Sequence, residues 1–198
     1  MLNAIQTFLN QCAESFDLPI LDWIQAHMQS GFMDTIMPII TMFGDDGIFW
    51  IACAAILLLI PSQRRNGLGM GIALMLGLIV CNMILKPVVG RIRPYDFQEQ
   101  FNGVHIKLLL DGLSDFSFPS GHTIASFEAS VALLRGNKKL GIPALILAFL
   151  IAFSRLYLYV HYPTDVLFSV GLGIGFAFLG TWLVNKGFSA YEQHKLQK

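Results

Sequence analysis

Long apolar runs separated by short polar or proline-containing breaks set the pattern of this chain. Five runs, 47–60, 67–85, 120–134, 140–159 and 166–184, read as membrane-spanning helices. Several fall short of the ~20 residues a lone spanning helix needs, so flanking turns must extend them inside a bundle. The breaks at 61–66, 135–139 and 161–165 are short, whereas 86–119 is a long loop with several charges and three glycines. Loops of that length in a compact protein are usually functional. The pattern predicts an all-α polytopic membrane helical bundle with five spans.

Residues 18–43 are apolar but interrupted by Asp22, His27, Gln29, Ser30, Gly31 and Asp34. Asp22, His27 and Asp34 would be costly in hydrocarbon unless they faced the bundle interior. Two short interfacial helices that break near Ser30 and Gly31 are therefore expected, with a sixth span as the alternative. The chain divides, within a single domain, into N-terminal interfacial helices (1–44), a transmembrane bundle (45–186) and a tail (187–198). In the last run Gly171 and Gly175 form a small-xxx-small pattern, which predicts close helix packing there.

Composition agrees with a bilayer: 55% of the 198 residues are hydrophobic and only 13% charged, against roughly a quarter charged in soluble proteins. The net charge of zero gives no reason to expect a nucleic-acid partner. Cys12, Cys53 and Cys81 are widely spaced and show no metal-ligand spacing.

Strong charges and imidazoles gather at helix ends. KPVVGRIRP (86–94) leaves the second run, PSGH (119–122) opens the third, and SRLYLYVHYPTD (154–165) joins the fourth to the fifth. In an up-down bundle these three ends fall on one side of the membrane, so Lys86, Arg93 and Arg155 converge with His122 and His161. Such a cluster needs an anion, and phosphate fits, because phosphoryl transfer mainly requires positioning and charge stabilisation. Pro119 suits a helix's first turn, which leaves the N–H groups of Ser120, Gly121 and His122 to face an anion. Asp165 follows His161 by four residues and can hold its Nδ1–H, leaving Nε2 free to attack phosphorus. His122, on the opposite wall, can protonate the leaving oxygen and later activate water. No metal or other cofactor is called for, since protein cations take that role.

The pattern Lys-x6-Arg-Pro, Pro-Ser-Gly-His, Ser-Arg-x5-His-x3-Asp resembles the signature of the type 2 phosphatidic acid phosphatases. It is carried by Lys86, Arg93, Pro94, Pro119, Ser120, Gly121, His122, Ser154, Arg155, His161 and Asp165. The resemblance implies a phosphorylated His161 supported by Asp165, His122 as general acid, and phosphate held by Lys86, Arg93, Ser120, Gly121 and Arg155. That family also includes soluble vanadium haloperoxidases, a branch that five spans argue against. Small size and few spans resemble the bacterial undecaprenyl-diphosphate phosphatases, which implies a lipid phosphate substrate among membrane lipids. Phosphatidylglycerophosphate or phosphatidate phosphatase is the alternative, and a headgroup binder without turnover is a third reading.

Taken singly, these residues have blander explanations: a satisfied structural histidine, or interfacial cations that snorkel. Their joint placement favours catalysis. Arg91 lies outside the signature and is a candidate for a second phosphate or headgroup. Glu128, six residues past His122 and about 240° around the helix, is expected off the catalytic face in a packing role. Arg64, Arg65, Arg135, Lys138, Lys139, Lys186, Lys195 and Lys198 flank the far ends of the runs. By the positive-inside rule those segments are cytoplasmic, which puts the active site and the N-terminus on the outer face of the cytoplasmic membrane.

Overall fold

The structure, a computed structural model, describes residues 2–110 and 113–196. Regular structure among them is entirely helical, in ten α-helices: α1 (Leu2–Cys12), α2 (Leu18–Met28), α3 (Gly31–Met42), α4 (Ile48–Leu59), α5 (Arg64–Gly77), α6 (Lys86–Val89), α7 (Pro94–Phe97), α8 (Gly121–Gly136), α9 (Lys138–Tyr157) and α10 (Pro163–Leu196). Wider π-type turns over Leu78–Leu85 carry α5 on towards α6. The core of the bundle is α8, packed against α9, α10, α5 and α4.

Four stretches among the described residues are long and apolar enough to cross a membrane: Gly31–Leu59, Pro61–Asn102, Lys138–Tyr157 and Pro163–Leu196. The third predicted span is the exception. Helix α8 has 16 residues, about 24 Å of helix, and carries Thr123, Ser126, Glu128 and Ser130, all buried. Its neighbours ensheath it, which is how a helix with such polar content is tolerated in a bilayer. Trp50 of α4 donates to Ser126 Oγ at 3.0 Å and ties the two helices together.

The predicted break near Ser30 is present: Gln29 and Ser30 are extended, and Ser30 caps α3 by accepting from Met33 N at 3.3 Å. Asn137 does the same for α9, accepting from Leu140 N at 3.3 Å, so each helix start is set by a local side chain. A further break lies between α3 and α4, where Asp46 (φ 49°) and Gly47 (φ 67°) are left-handed.

Gly171 and Gly175 do not mediate the close crossing expected of them, since a Cβ on either would meet open space. Gly173 and Gly180 do. A Cβ on Gly180 would lie 2.7 Å from Gly69 O on α5, and one on Gly173 would lie 3.1 Å from Ile124 O on α8. Two full turns separate this pair, so one face of α10 meets both neighbours.

Asp22 and Asp34 accept hydrogen bonds from the hydroxyls of Tyr159 (2.6 Å) and Tyr157 (2.5 Å). Helices α2 and α3 are thereby fastened to the segment that leads from α9 into α10.

Candidate active site

One cavity of about 730 Å³ opens beside α8, within the usual range for ligand sites. Lys86, Arg93, Gly121, His122, Arg155 and His161 line it together with Asp45 and Asp115; Ile51, Ala54, Leu74 and Leu78 line it further along, with Glu128 among them. Residues from three separated stretches of sequence thus meet at a single polar end.

His161 is delivered by the turn after α9. Tyr159 is left-handed there (φ 60°), a strain of about 1–3 kcal/mol for a non-glycine residue. Its hydroxyl is held on both sides, donating to Asp22 and accepting from Gln98 Nε2 at 2.9 Å. The His161 ring is 2% exposed. Its Nε2 lies 3.4 Å from Arg93 Nη1 at the cationic end, and its Nδ1 faces Asp165 Oδ2 at 3.6 Å. That gap is too long for a direct hydrogen bond. Ser117 fills it: its Oγ lies 3.4 Å from Nδ1 and donates to Asp165 Oδ2 at 2.5 Å. Burial foremost, and then the charges of Arg93, Arg155 and Lys86, push the His161 imidazole well below its ordinary range. These causes favour the neutral ring, the form in which a nucleophile acts.

Asp165 sits at the third position of α10 and accepts from Tyr162 N at 3.2 Å, the backward reach of a capping box. Its other oxygen is taken by Arg91. Arg91, a candidate for a second phosphate by sequence, is engaged within the protein instead. It is 4% exposed, paired with Asp17 at 2.7 Å and laid over the Tyr162 ring at 3.7 Å.

On the opposite wall, His122 Nε2 meets Asp45 Oδ1 at 2.8 Å. Gly44 lies against the imidazole so closely that a Cβ there would be 2.6 Å from Cδ2. Arg155 donates to Thr41 Oγ1 at 2.5 Å, and its Nε has no partner among the described residues.

The cations, which by sequence need an external anion, already have an internal one. Asp115 accepts from Lys86 and from Arg93 Nη2, the latter at 2.5 Å. Burial alone would raise the Asp115 carboxyl, but the hydrogen bonds and charges of Lys86 and Arg93 outweigh it and hold the group well below the usual range. A phosphate gripped by Lys86 and Arg93 must share them with Asp115 or displace it.

Ser120 has partners that the sequence does not show, and Glu128 lies where the sequence does not place it. Ser120 is fully buried; its N–H donates to Ser169 Oγ at 2.9 Å and its hydroxyl accepts from Thr123 at 3.0 Å. It braces the start of α8, where the N–H groups of Gly121, His122 and Thr123 precede the first helical bond, from Ile124 N to Ser120 O. Glu128 lines the same cavity as His122, in a space made by Gly77. Its Oε1 has no hydrogen-bond partner among the described residues.

Asp17, Asp45, Asp115 and Ser117 are the site residues that motif reasoning passed over. Ser117 could have been noticed two positions ahead of PSGH, but the carboxylates carry no local signal.

The profile of the PAP2 superfamily matches residues 66–189. The chain is 31% identical over 161 residues to an undecaprenyl-diphosphatase of Sulfolobus acidocaldarius, covering 80% of this chain and 74% of that one. It is 35% identical over 153 residues to the undecaprenyl-diphosphatase BcrC of Bacillus subtilis, covering 74% and 73%. Among solved structures, Aquifex aeolicus LpxE superposes with a TM-score of 0.68 at 22% identity, covering 84% of this chain and 94% of that one. A PAP2-type phosphatidylglycerolphosphate phosphatase from Bacillus subtilis gives 0.65 at 24% identity, covering 93% and 96%. By sequence over most of its length and by fold, this chain belongs to the PAP2 superfamily.

Proposed function

We propose that the protein is a membrane lipid phosphatase that removes the terminal phosphate of a prenyl diphosphate, undecaprenyl diphosphate in the first instance. The observation that carries this reading is the cavity's division into a cationic end with two imidazoles and a mostly apolar remainder that holds the Glu128 carboxyl. A diphosphate headgroup suits the first and a polyprenyl or acyl chain the second. The relatives described above act on undecaprenyl diphosphate by name.

His161 Nε2 attacks phosphorus, and the bond to the bridging oxygen breaks as His122 gives that oxygen a proton. Lys86, Arg93 and Arg155 stabilise the charge on the equatorial oxygens. Water then attacks the phosphohistidine with His122 taking its proton, and inorganic phosphate leaves with His161 restored. Asp165 and Ser117 hold Nδ1 so that Nε2 presents its lone pair.

Turnover of undecaprenyl diphosphate, phosphatidylglycerophosphate and phosphatidate by purified protein in EDTA tests the substrate. The highest kcat/KM is expected for the diphosphate. Preference for phosphatidylglycerophosphate would support the second reading, which the likeness to that phosphatase's structure favours. Binding without phosphate release would leave a headgroup binder.

The active site is proposed to face outward, as the charge of the opposite loops suggests. Helices α2 and α3 are proposed to stay at that face, because Asp22 of α2 accepts from Tyr159 and Asp34 of α3 from Tyr157, both next to the site. Labelling of single cysteines in intact cells tests this: positions 3 and 105 should react and position 137 should not. Labelling of 137 alone would invert the orientation, and protection of position 3 would put a further span before α4.

A further inference from the structure

Residues 1–65 lie ahead of the family match, yet one of their side chains reaches the support of the nucleophile. Asp17, at the end of the π-type turn that follows α1, is fully buried. Its Oδ1 accepts from Thr164 N at 2.9 Å, and its Oδ2 accepts from Thr164 Oγ1 and Arg91 Nη2, both at 2.7 Å. Arg91 in turn donates through Nη1 to Asp165 and to Thr164 Oγ1, the latter at 2.8 Å.

The start of α10 explains why such a partner is needed. A helix N-terminus leaves its first N–H groups without acceptors, and the residue before the helix normally supplies an oxygen. Tyr162 stands there and has no side-chain oxygen that can fold back. Pro163 has no N–H to satisfy, Thr164 N is taken by Asp17, and Asp165 is turned back onto Tyr162 N. Asp17 is thus a cap supplied from a remote part of the chain to the turn that carries both His161 and Asp165.

The charges point the same way. Asp17, Arg91 and Asp165 form a buried run of two carboxylates around one guanidinium, and such groups are costly to desolvate. An apolar cluster of similar volume would pack the same space at lower cost, so stability alone is a weak reason for it. What the run achieves is directional. With Arg91 on Oδ1, Asp165 can present only Oδ2 towards Ser117 and His161 Nδ1.

We propose that Asp17 is a positioning residue for the nucleophile, acting through Arg91 and Thr164 to fix Asp165 and thereby the His161 imidazole. The N-terminal helices are then part of the catalytic assembly. The proposal rests on His161 being the nucleophile.

The test is steady-state kinetics of full-length D17N, R91K and the double variant on undecaprenyl diphosphate, using the monodisperse fraction in detergent, with H161A alongside. D17N should lose about tenfold in kcat with KM within about twofold, since it touches orientation and not binding. The double variant should be no worse than R91K within about twofold, because both substitutions break one linkage. An unchanged kcat in D17N, a rise in KM alone, or losses that multiply in the double variant would overturn the proposal. If D17N does not fold, T164V decides: it exchanges for a methyl the hydroxyl that joins Asp17 to Arg91, and a kcat within error of wild type would overturn the proposal. Turnover by H161A would instead refute the nucleophile itself, whatever D17N shows.

Discussion

The two histidine walls of the cavity are built differently. His161 and Asp165 are 2% and 0% exposed, and Asp165 is held by Arg91, Ser117 and a backbone N–H. His122 and Asp45 are 19% and 55% exposed and meet through one contact. Asp115, the carboxylate on Lys86 and Arg93, is likewise half exposed at 51%. The buried His161–Asp165 pair is cross-braced, whereas His122 and the Lys86–Arg93 cations are held by carboxylates that water can reach. A covalent nucleophile gains from a fixed ring. Groups that must exchange partners with a substrate and pass protons to water gain from loose ones.

The comparison predicts unequal costs. His161→Ala should abolish phosphate release, a loss of about a thousandfold or more. Asp165→Asn should lose about a hundredfold or more by misorienting the ring. His122→Ala should lose about a hundredfold, because the leaving oxygen then lacks its acid. Asp45→Asn should cost less than about tenfold, since solvent can replace its contact with His122. A cost for Asp45→Asn as large as that for Asp165→Asn would erase the difference between the walls.

The apolar half of the cavity allows a different break. Ala54→Trp should raise KM for a long-chain lipid about tenfold and leave a short, water-soluble phosphate ester unchanged, as competition assays with both substrates would show. Equal effects on the two would mean that the chain does not enter there.

Asp115→Asn should tighten inhibition by phosphate or vanadate about threefold, because Lys86 and Arg93 then lose a competing anion. Weaker inhibition would make Asp115 an organiser of the cations rather than their stand-in partner.

The smallest effect concerns pH. His161 is held neutral well below its ordinary value of 6.5, so below that pH the unfolded chain binds a proton that the native one refuses. Stability should therefore fall as pH drops from about 6.5 to 5, and thermal midpoints should fall less steeply in His161→Ala. Asp115 has the opposite sign: its stabilisation is present above the ordinary carboxylate range and is lost only as pH falls through its depressed value. It contributes nothing to this window.

Helix positions were legible because apolar runs and their breaks are local. Ser30, 61–66 and Asn137 interrupt the pattern where the chain turns. Lys86, Arg93, His122, Arg155 and His161 were legible because each sits at the end of such a run. The carboxylates were not. Asp45 meets His122 across 77 residues of sequence and Asp17 meets Arg91 across 74, distances over which no periodicity carries information. Helical angle alone puts Glu128 off the catalytic face, but the cavity extends around α8 between α4 and α5 and reaches it. Gly171 and Gly175 fit a packing pattern, yet only tertiary structure decides which face of α10 meets another backbone.

The most direct test of the account is the position of the covalent phosphate. Undecaprenyl diphosphate labelled with 32P at its terminal phosphate would be mixed with excess enzyme and quenched in alkali within one turnover, and the peptides mapped. The account predicts an alkali-stable, acid-labile phosphohistidine at His161, absent from His161→Ala. Label at His122, or a full turnover with no labelled protein at any time, would contradict it.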